Sequence, residues 1–343
     1  MRVLSNYFLL LVSIFLSDKM YAQNSGKVNI ADFLIPQRAD PFIAMDRLGN
    51  YYFIATVPEF DRLEVRKAQS IDDLPAASPK VIWRKHRDGI MGSNIWAPEL
   101  YQIEGKWYIY FAAGNADEPF KIRKYVLSNT SEDPTQGDWV EEGELISEGA
   151  SFSLDATLFQ HNGKRFMIWA DKYTQTEHAT GLYIAEMQSP TQLKSPQVLI
   201  SKPTFHWETN GFKVNEGPAV LIRNGKVFIA YSASATDASY CIGLLQADTH
   251  SNLLEAKSWR KSAQPVFYTN EKLERFGPGH NSFFRTPSGE DYMVYHARDY
   301  RELQGDALTD PNRHTRMRKI MWTSEGLPDF GQDYSDLEFG RRN

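Results

Sequence analysis

The feature that most constrains this chain is a repeat of about 60 residues. Five short polar turns recur, each ending at or just after a glycine and each followed by aromatic or β-branched residues. They read DRLGN-YYFIA at Gly49, IEGK-WYIYF at Gly105, HNGK-RFMIW at Gly163, RNGK-VFIAY at Gly225 and PSGE-DYMVY at Gly289, with steps of 56, 58, 62 and 64 residues. Asn-Gly pairs at 162–163 and 224–225 are strong hairpin signals, because a type I′ turn needs positive φ at both central residues. A short apolar strand precedes every turn (PFIAM, PELYQI, ATLFQ, PAVLI, NSFF). Third strands follow at RLEVRKA, KIRKYVL, GLYIAEM, SYCIGLLQA and TRMRKIMW, with fainter fourth strands at KVIWR, WVEEGELI, QVLI and QPVF. No long amphipathic helix interrupts them. Four strands per unit and five units predict an all-β chain folded as a five-bladed β-propeller. A β-sandwich or jelly roll with coincidental turn spacing is the competing reading.

The N-terminus stands apart from the repeat. Met1-Arg2, the apolar run Tyr7 to Leu16 and small Ala22 have the order of a secretory signal peptide. Ten apolar residues fall short of the about 20 needed to span a bilayer. The expected domains are therefore a signal peptide over 1–22, cleaved near Ala22, and a single catalytic propeller over 23–343. The mature chain would be secreted or periplasmic, with no membrane span. A net charge of -5 from 38 basic and 43 acidic residues argues against a nucleic-acid partner, since phosphate binding needs a basic face. The lone Cys241 can form neither an internal disulfide nor a thiolate metal cage.

In a propeller the first strand of each blade lies nearest the axis. Counting back eight or nine residues from each turn glycine reaches Asp40, Trp96, Asp155, Glu216 and His280. Taken singly, Asp40 and Asp155 have a competing reading as turn or capping residues, Glu216 as a solvated loop residue, His280 as a hydrogen-bonded core histidine and Trp96 as core filling. Asp171 and Glu99, close to the same strands, read as structural. As a set at one equivalent position, the five are hard to explain by packing, because gathering like charges in a core is costly. Such a cluster separates carboxyl pKa values, leaving one group a base and another an acid. Hydrolysis of a glycosidic bond requires that pair, and an indole beside it offers a platform for a sugar ring. A glycan-binding propeller without catalysis is the rival from another class. Serine-nucleophile elbows, phosphate loops and zinc-helix motifs are absent from the sequence. Asn129-Thr-Ser fits a glycosylation acceptor.

RADPFI, NIWAPEL, SLDATLF, VNEGPAVL, GPGHNSFF and YHAR, in order and at blade spacing, resemble glycoside hydrolase family 43. The stretches KVNEGPAVL, YSASATDASYCIGLL and DPNRHTR are most similar to its α-L-arabinofuranosidase members. The resemblance implies an inverting, exo-acting enzyme on arabinan or arabinoxylan fragments from plant cell walls, with β-D-xylosidase and endo-arabinanase as alternatives. Asp40 would then be the general base, Glu216 the general acid, and Asp155 the residue that orients the acid and raises its pKa. Arg298 would face the pocket and contact the sugar or the acid, and Trp96 would line the sugar site. His280 would sit beside a calcium or sodium ion on the axis, reaching it largely through water; no organic cofactor is implied.

Overall fold

A computed structural model describes residues 33–149, 152–175 and 178–341. The expected signal peptide lies outside the described residues. The chain is nearly all β. The first sheet is an antiparallel meander of β1 (Ala39–Met45), β2 (Tyr51–Thr56), β3 (Arg62–Ala68) and β4 (Lys80–Arg84). The second repeats it with β5 (Ser93–Ile103), β6 (Lys106–Gly114), β7 (Arg123–Asn129) and β8 (Val140–Glu144). A third meander holds β9 (Ser153–His161), β10 (Lys164–Lys172) and β11 (Ala179–Ser189), with the short β12 (Gln192–Leu193) and β13 (Val198–Ser201) on its edge. A fourth holds β14 (Lys213–Arg223), β15 (Lys226–Ala233), β16 (Cys241–Asp248) and β17 (Arg260–Lys261). These last two share one nine-stranded sheet through a brief parallel pairing of β11 with β14 at Ala179–Lys213 and Thr180–Val214. The final sheet has β18 (Phe276–Arg285), β19 (Asp291–Arg298) and β20 (His314–Lys319). A small hairpin of β21 (Met321–Trp322) and β22 (Pro328–Asp329) and the one-turn helix α1 (Asp336–Gly340) follow.

The hairpin signals do what their chemistry requires. Asn162 and Asn224 take φ of 48° and 52°, and the glycines after them both take 73°, as a type I′ turn demands. Among the described residues the final sheet has no fourth strand from its own repeat. Instead the chain before β1 supplies a bridge: Leu34 donates its amide to the Thr315 carbonyl at 2.7 Å, and Thr315 donates back to Ile35 at 2.9 Å. The expected strand QPVF is reduced to one bridge, Ile242 with Phe267.

Apolar side chains that alternate along each strand bury both faces, so the cores lie between successive sheets. Tyr52 and Ile54 pack with Trp107 and Ile109, and Tyr110 and Val126 with Met167 and Trp169. Ile168 and Ile184 meet Ile229 and Tyr231, and Phe228 and Ala230 meet Met293 and Tyr295. Tyr292 and Val294 of the last sheet return to Tyr51 and Phe53 of the first. The strands that open the meanders pack together in turn, β1 with β5, β5 with β9, β9 with β14, β14 with β18, and β18 with β1.

Each opening strand also breaks its register, β5 and β18 at two places each. Pairing slips between Ala39 and Phe42, between Trp96 and Glu99, opposite Ile168–Ala170, between Glu216 and Ala219, and between Gly279 and Ser282. At these bulges the backbone turns left-handed: Asp40 51°, Ala97 46°, Asp155 57°, Gly217 51° and His280 40°. A bulge re-aims the side chain beside it. One residue type stands out of place elsewhere: Asn129, read as a glycosylation acceptor, is 2% exposed and donates to the Gln136 carbonyl. Its amide is not available on the folded surface.

Candidate active site

The five bulges meet at the floor of a cavity of about 630 Å³, where Asp40, Trp96, Asp155, Glu216 and His280 all contribute to the lining. Asp40 is buried. Thr56 donates its hydroxyl to Oδ2 at 2.5 Å, and the Ala97 amide donates to that hydroxyl at 2.8 Å, tying the first sheet to the second. The Asp40 amide donates to His296 Nδ1 at 3.1 Å. His280 Nδ1 stands 3.3 Å and an Arg313 guanidinium nitrogen 3.9 Å from Asp40 Oδ1. Burial alone would raise this carboxyl. The charge of His280, the hydrogen bond with His296 and the charge of Arg313 outweigh it, and hold Asp40 below the usual carboxylate range.

Glu216 is the opposite case. Burial raises its pKa, the neighbouring Asp155 raises it further, and a hydrogen bond from Tyr240 only partly opposes them. Tyr240 donates its hydroxyl to Glu216 Oε1 at 2.8 Å. Asp155 is raised by burial and by Asp40, while its Oδ2 accepts the Gly217 amide at 2.9 Å. That bond locks Asp155 to the backbone of the residue after Glu216. The pocket therefore holds one carboxylate that is ionised and one carboxyl that stays protonated in neutral solution, the division of labour that acid–base catalysis uses.

The remaining expected residues are placed as follows. Trp96 is 8% exposed, packs edge-on against Phe60, and its indole N–H finds no partner among the described residues. That nitrogen is itself buried, so the residue meets the cavity with other parts of its side chain. Glu99, read as structural, is buried behind Asp155. It accepts the Tyr101 hydroxyl, and burial pushes it up to about 8. Arg298 does not line the pocket. Its Nε donates to Asp310 at 3.0 Å, and its terminal nitrogens donate to the carbonyls of Thr236 and Ala307, both at 2.6 Å. Three of its five N–H donors are thus committed to the protein. Arg298 fixes the 306–310 loop, whose Asp306, Ala307, Leu308 and Thr309 form one wall of the cavity. The arginine that does reach the pocket is Arg313, within the DPNRHTR stretch.

Three functional neighbours were not singled out from sequence: Arg313, His296 and Tyr240. Arg313 and His296 sit inside the motifs quoted above, DPNRHTR and YHAR, so a signal existed. Tyr240 lies within the quoted stretch YSASATDASYCIGLL as well, but has no counterpart at the repeat offset. Concerning the ion, no group of three or more His, Cys, Asp or Glu among the described residues is arranged to hold a metal. Beyond the floor the cavity opens between Phe120 and Phe212, 62% and 58% exposed.

Comparison with known proteins places the chain in a family. The sequence matches the glycosyl hydrolases family 43 over residues 33–328. The chain belongs to that family. It is 48% identical over 92% of its length to an extracellular exo-α-(1→5)-L-arabinofuranosidase from Streptomyces avermitilis, and 46% identical over 90% to α-L-arabinofuranosidase 43 from Humicola insolens. It spans about two thirds of each relative, 66% and 65% of their lengths. The crystal structure of an α-L-arabinofuranosidase from Lactobacillus brevis superposes with a TM-score of 0.86 at 43% identity, covering 90% of this chain and 99% of that one. As a family 43 chain it is a glycoside hydrolase, and its carboxylates can be read in that light.

Proposed function

We propose that this chain is an inverting, exo-acting α-L-arabinofuranosidase that removes terminal arabinofuranosyl residues from arabinan or arabinoxylan fragments. One observation carries the reading: Asp40, whose surroundings favour the ionised form, and the half-buried Glu216, whose surroundings favour the protonated form, line one pocket. Asp40 takes a proton from a water molecule, which attacks the anomeric carbon from the face opposite the leaving group. Glu216 gives its proton to the departing glycosidic oxygen, so sugar and aglycone separate with inverted configuration. In this mechanism base and acid stand about 6.5–9.5 Å apart, leaving room for the water. Asp155 keeps Glu216 protonated by like-charge repulsion and orients it through Gly217. Trp96 lines the sugar site.

The sheets are read as the five blades of a single β-propeller spanning 23–343, supported by the cores between successive sheets and by the bridge from Leu34 and Ile35 to Thr315. A calcium or sodium ion near His280 is inferred to be held through water. The buried His296 Nε2 and both side-chain polar atoms of Asn281, beside His280 in sequence, have no partner among the described residues and would suit its hydration shell. Such an ion would offset the gathered carboxylates. Secretion is inferred from the leader-like N-terminus and from relatives named as extracellular; no helix among the described residues is long and apolar enough to cross a membrane.

The test is a parallel assay on an aryl α-L-arabinofuranoside and an aryl β-D-xyloside, with a chelator in part of each. Arabinofuranoside turnover with inverted product is expected. A strong xyloside preference would replace the substrate assignment, and cleavage only inside long arabinan would make the enzyme endo-acting. Glu216→Ala should lose far more activity on poor leaving groups than on activated aryl glycosides.

A further inference from the structure

Tyr240 is 1% exposed, yet its hydroxyl ends on a reacting carboxyl. Its ring lies flat on His296, with centroids 5.7 Å apart and planes 5° from parallel. His296 in turn accepts the Asp40 amide. A continuous path thus runs through the protein behind the pocket, from Asp40 to His296, by ring stacking to Tyr240, and by a hydrogen bond to Glu216. Gly279, the cross-strand partner of His296, also lies against the ring. A Cβ at that position would stand 2.2 Å from ring atoms Cδ1 and Cε1. Tyr240 therefore has little freedom to move its hydroxyl. If the ring served only to fill the core, phenylalanine would do, since a buried hydroxyl needs a partner; here its partner is Glu216.

We propose that Tyr240 is a positioning residue for the general acid: it holds Glu216 Oε1 as an acceptor, so that Oε2 carries the proton delivered to the leaving oxygen. The inference rests on Glu216 being that acid. As Glu216 gives up its proton, its carboxylate gains negative charge while the Tyr240 O–H stays aimed at it. A hydrogen bond to a charged group is stronger than one to a neutral group, so the contact stabilises the transition state more than the ground state. Burial and the adjacent Glu216 and Asp155 hold the Tyr240 hydroxyl far above its ordinary range, so it remains a donor. The charged and titratable groups facing Glu216 are Asp155 from β9, Asp40 from β1, His280 from β18 and Tyr240 itself.

Tyr240→Phe keeps the ring, its stack on His296 and its seat over Gly279, and removes only the donor. Its kcat/KM on arabino-oligosaccharides should fall about 10- to 100-fold, with much less loss on an activated aryl arabinofuranoside and little change in KM. The basic limb of the pH profile should move to higher pH, because a carboxylate deprived of a donor is harder to form. Equal losses on both substrates, or a basic limb that stays in place, would overturn the proposal. So would a thermal midpoint lowered enough to explain the loss by unfolding; a midpoint near that of the wild type is expected. A wild-type protein inactive on arabinofuranosides, or a Glu216→Ala variant indifferent to the leaving group, would instead refute the underlying assignment.

Discussion

Gly279→Ala tests the geometry of the pocket floor by adding one methyl group and removing nothing. The glycine is not in a left-handed conformation, so alanine suits its backbone, but the new Cβ would lie 2.2 Å from two carbons of the Tyr240 ring. Ordinary contact begins near 3.4 Å, so ring or strand must yield by roughly 1 Å. The ring cannot retreat freely, because it is also stacked on His296. A hydroxyl displaced by roughly 1 Å from a 2.8 Å bond passes the distance at which a hydrogen bond survives. Overpacking of this kind costs about 1–3 kcal/mol, and should lower the thermal midpoint by about 2–8 °C. Displacement of a positioning contact by this much can cost about 100-fold in rate. The measurement is kcat/KM on arabinobiose and on an activated aryl arabinofuranoside, beside a thermal melt of the same samples. Loss concentrated on arabinobiose is expected. An alanine variant with wild-type rates on both substrates would refute the claim that this ring is clamped.

In the proposed mechanism activity needs Asp40 ionised and Glu216 protonated, so it should fall as pH drops through the lowered Asp40 pKa and as pH rises through the raised Glu216 pKa. Asp155→Asn removes the like charge beside Glu216 and should move the basic limb to lower pH, which a pH profile of kcat/KM reads directly; an upward shift would contradict the assignment. Arg298→Ala should loosen the 306–310 loop and raise KM several-fold with a smaller change in kcat, whereas a collapse of kcat alone would return this arginine to the reacting atoms. Phe120→Ala and Phe212→Ala should raise KM for oligosaccharides and leave inhibition by free arabinose unchanged, because the two rings lie at the mouth and not on the floor. Equal weakening of both would make them walls of the sugar site.

Much of this was legible in the sequence because the repeat is punctuated by turns whose chemistry is local. Asn162-Gly163 and Asn224-Gly225 fix a hairpin wherever they occur, and a strand of nearly constant length leads from each turn back to the floor. That is why Asp40, Asp155, Glu216 and His280 could be found without knowing what surrounds them. The offset drifts by one residue: the left-handed position falls on Asp40 itself but on Ala97 and Gly217, one after Trp96 and Glu216. Arg298 was misread because a long side chain takes its direction from distant partners, here Thr236, Ala307 and Asp310, and a motif of four letters carries no record of them. Tyr240 and Arg313 enter from loops of unequal length, where no period applies. The pairing of Leu34 and Ile35 with Thr315 joins the two ends of the repeat and shows in neither segment alone.

The left-handed bulges have a further consequence for how this molecule could change. Asp40, Ala97, Asp155 and His280 hold non-glycine residues in a conformation that costs about 1–3 kcal/mol each, and the surrounding strands bear that cost whichever side chain is mounted there. The backbone thus works as a set of five sockets aimed at a common point, each filled independently. Exchanging a side chain at one socket alters chemistry without asking the frame to refold. A change that straightened a bulge would gain stability and turn the side chain away from the others. Stabilised variants of this protein should therefore be sought between the sheets, at the outer strands and loops, and not along the inner strands where the chain looks most strained.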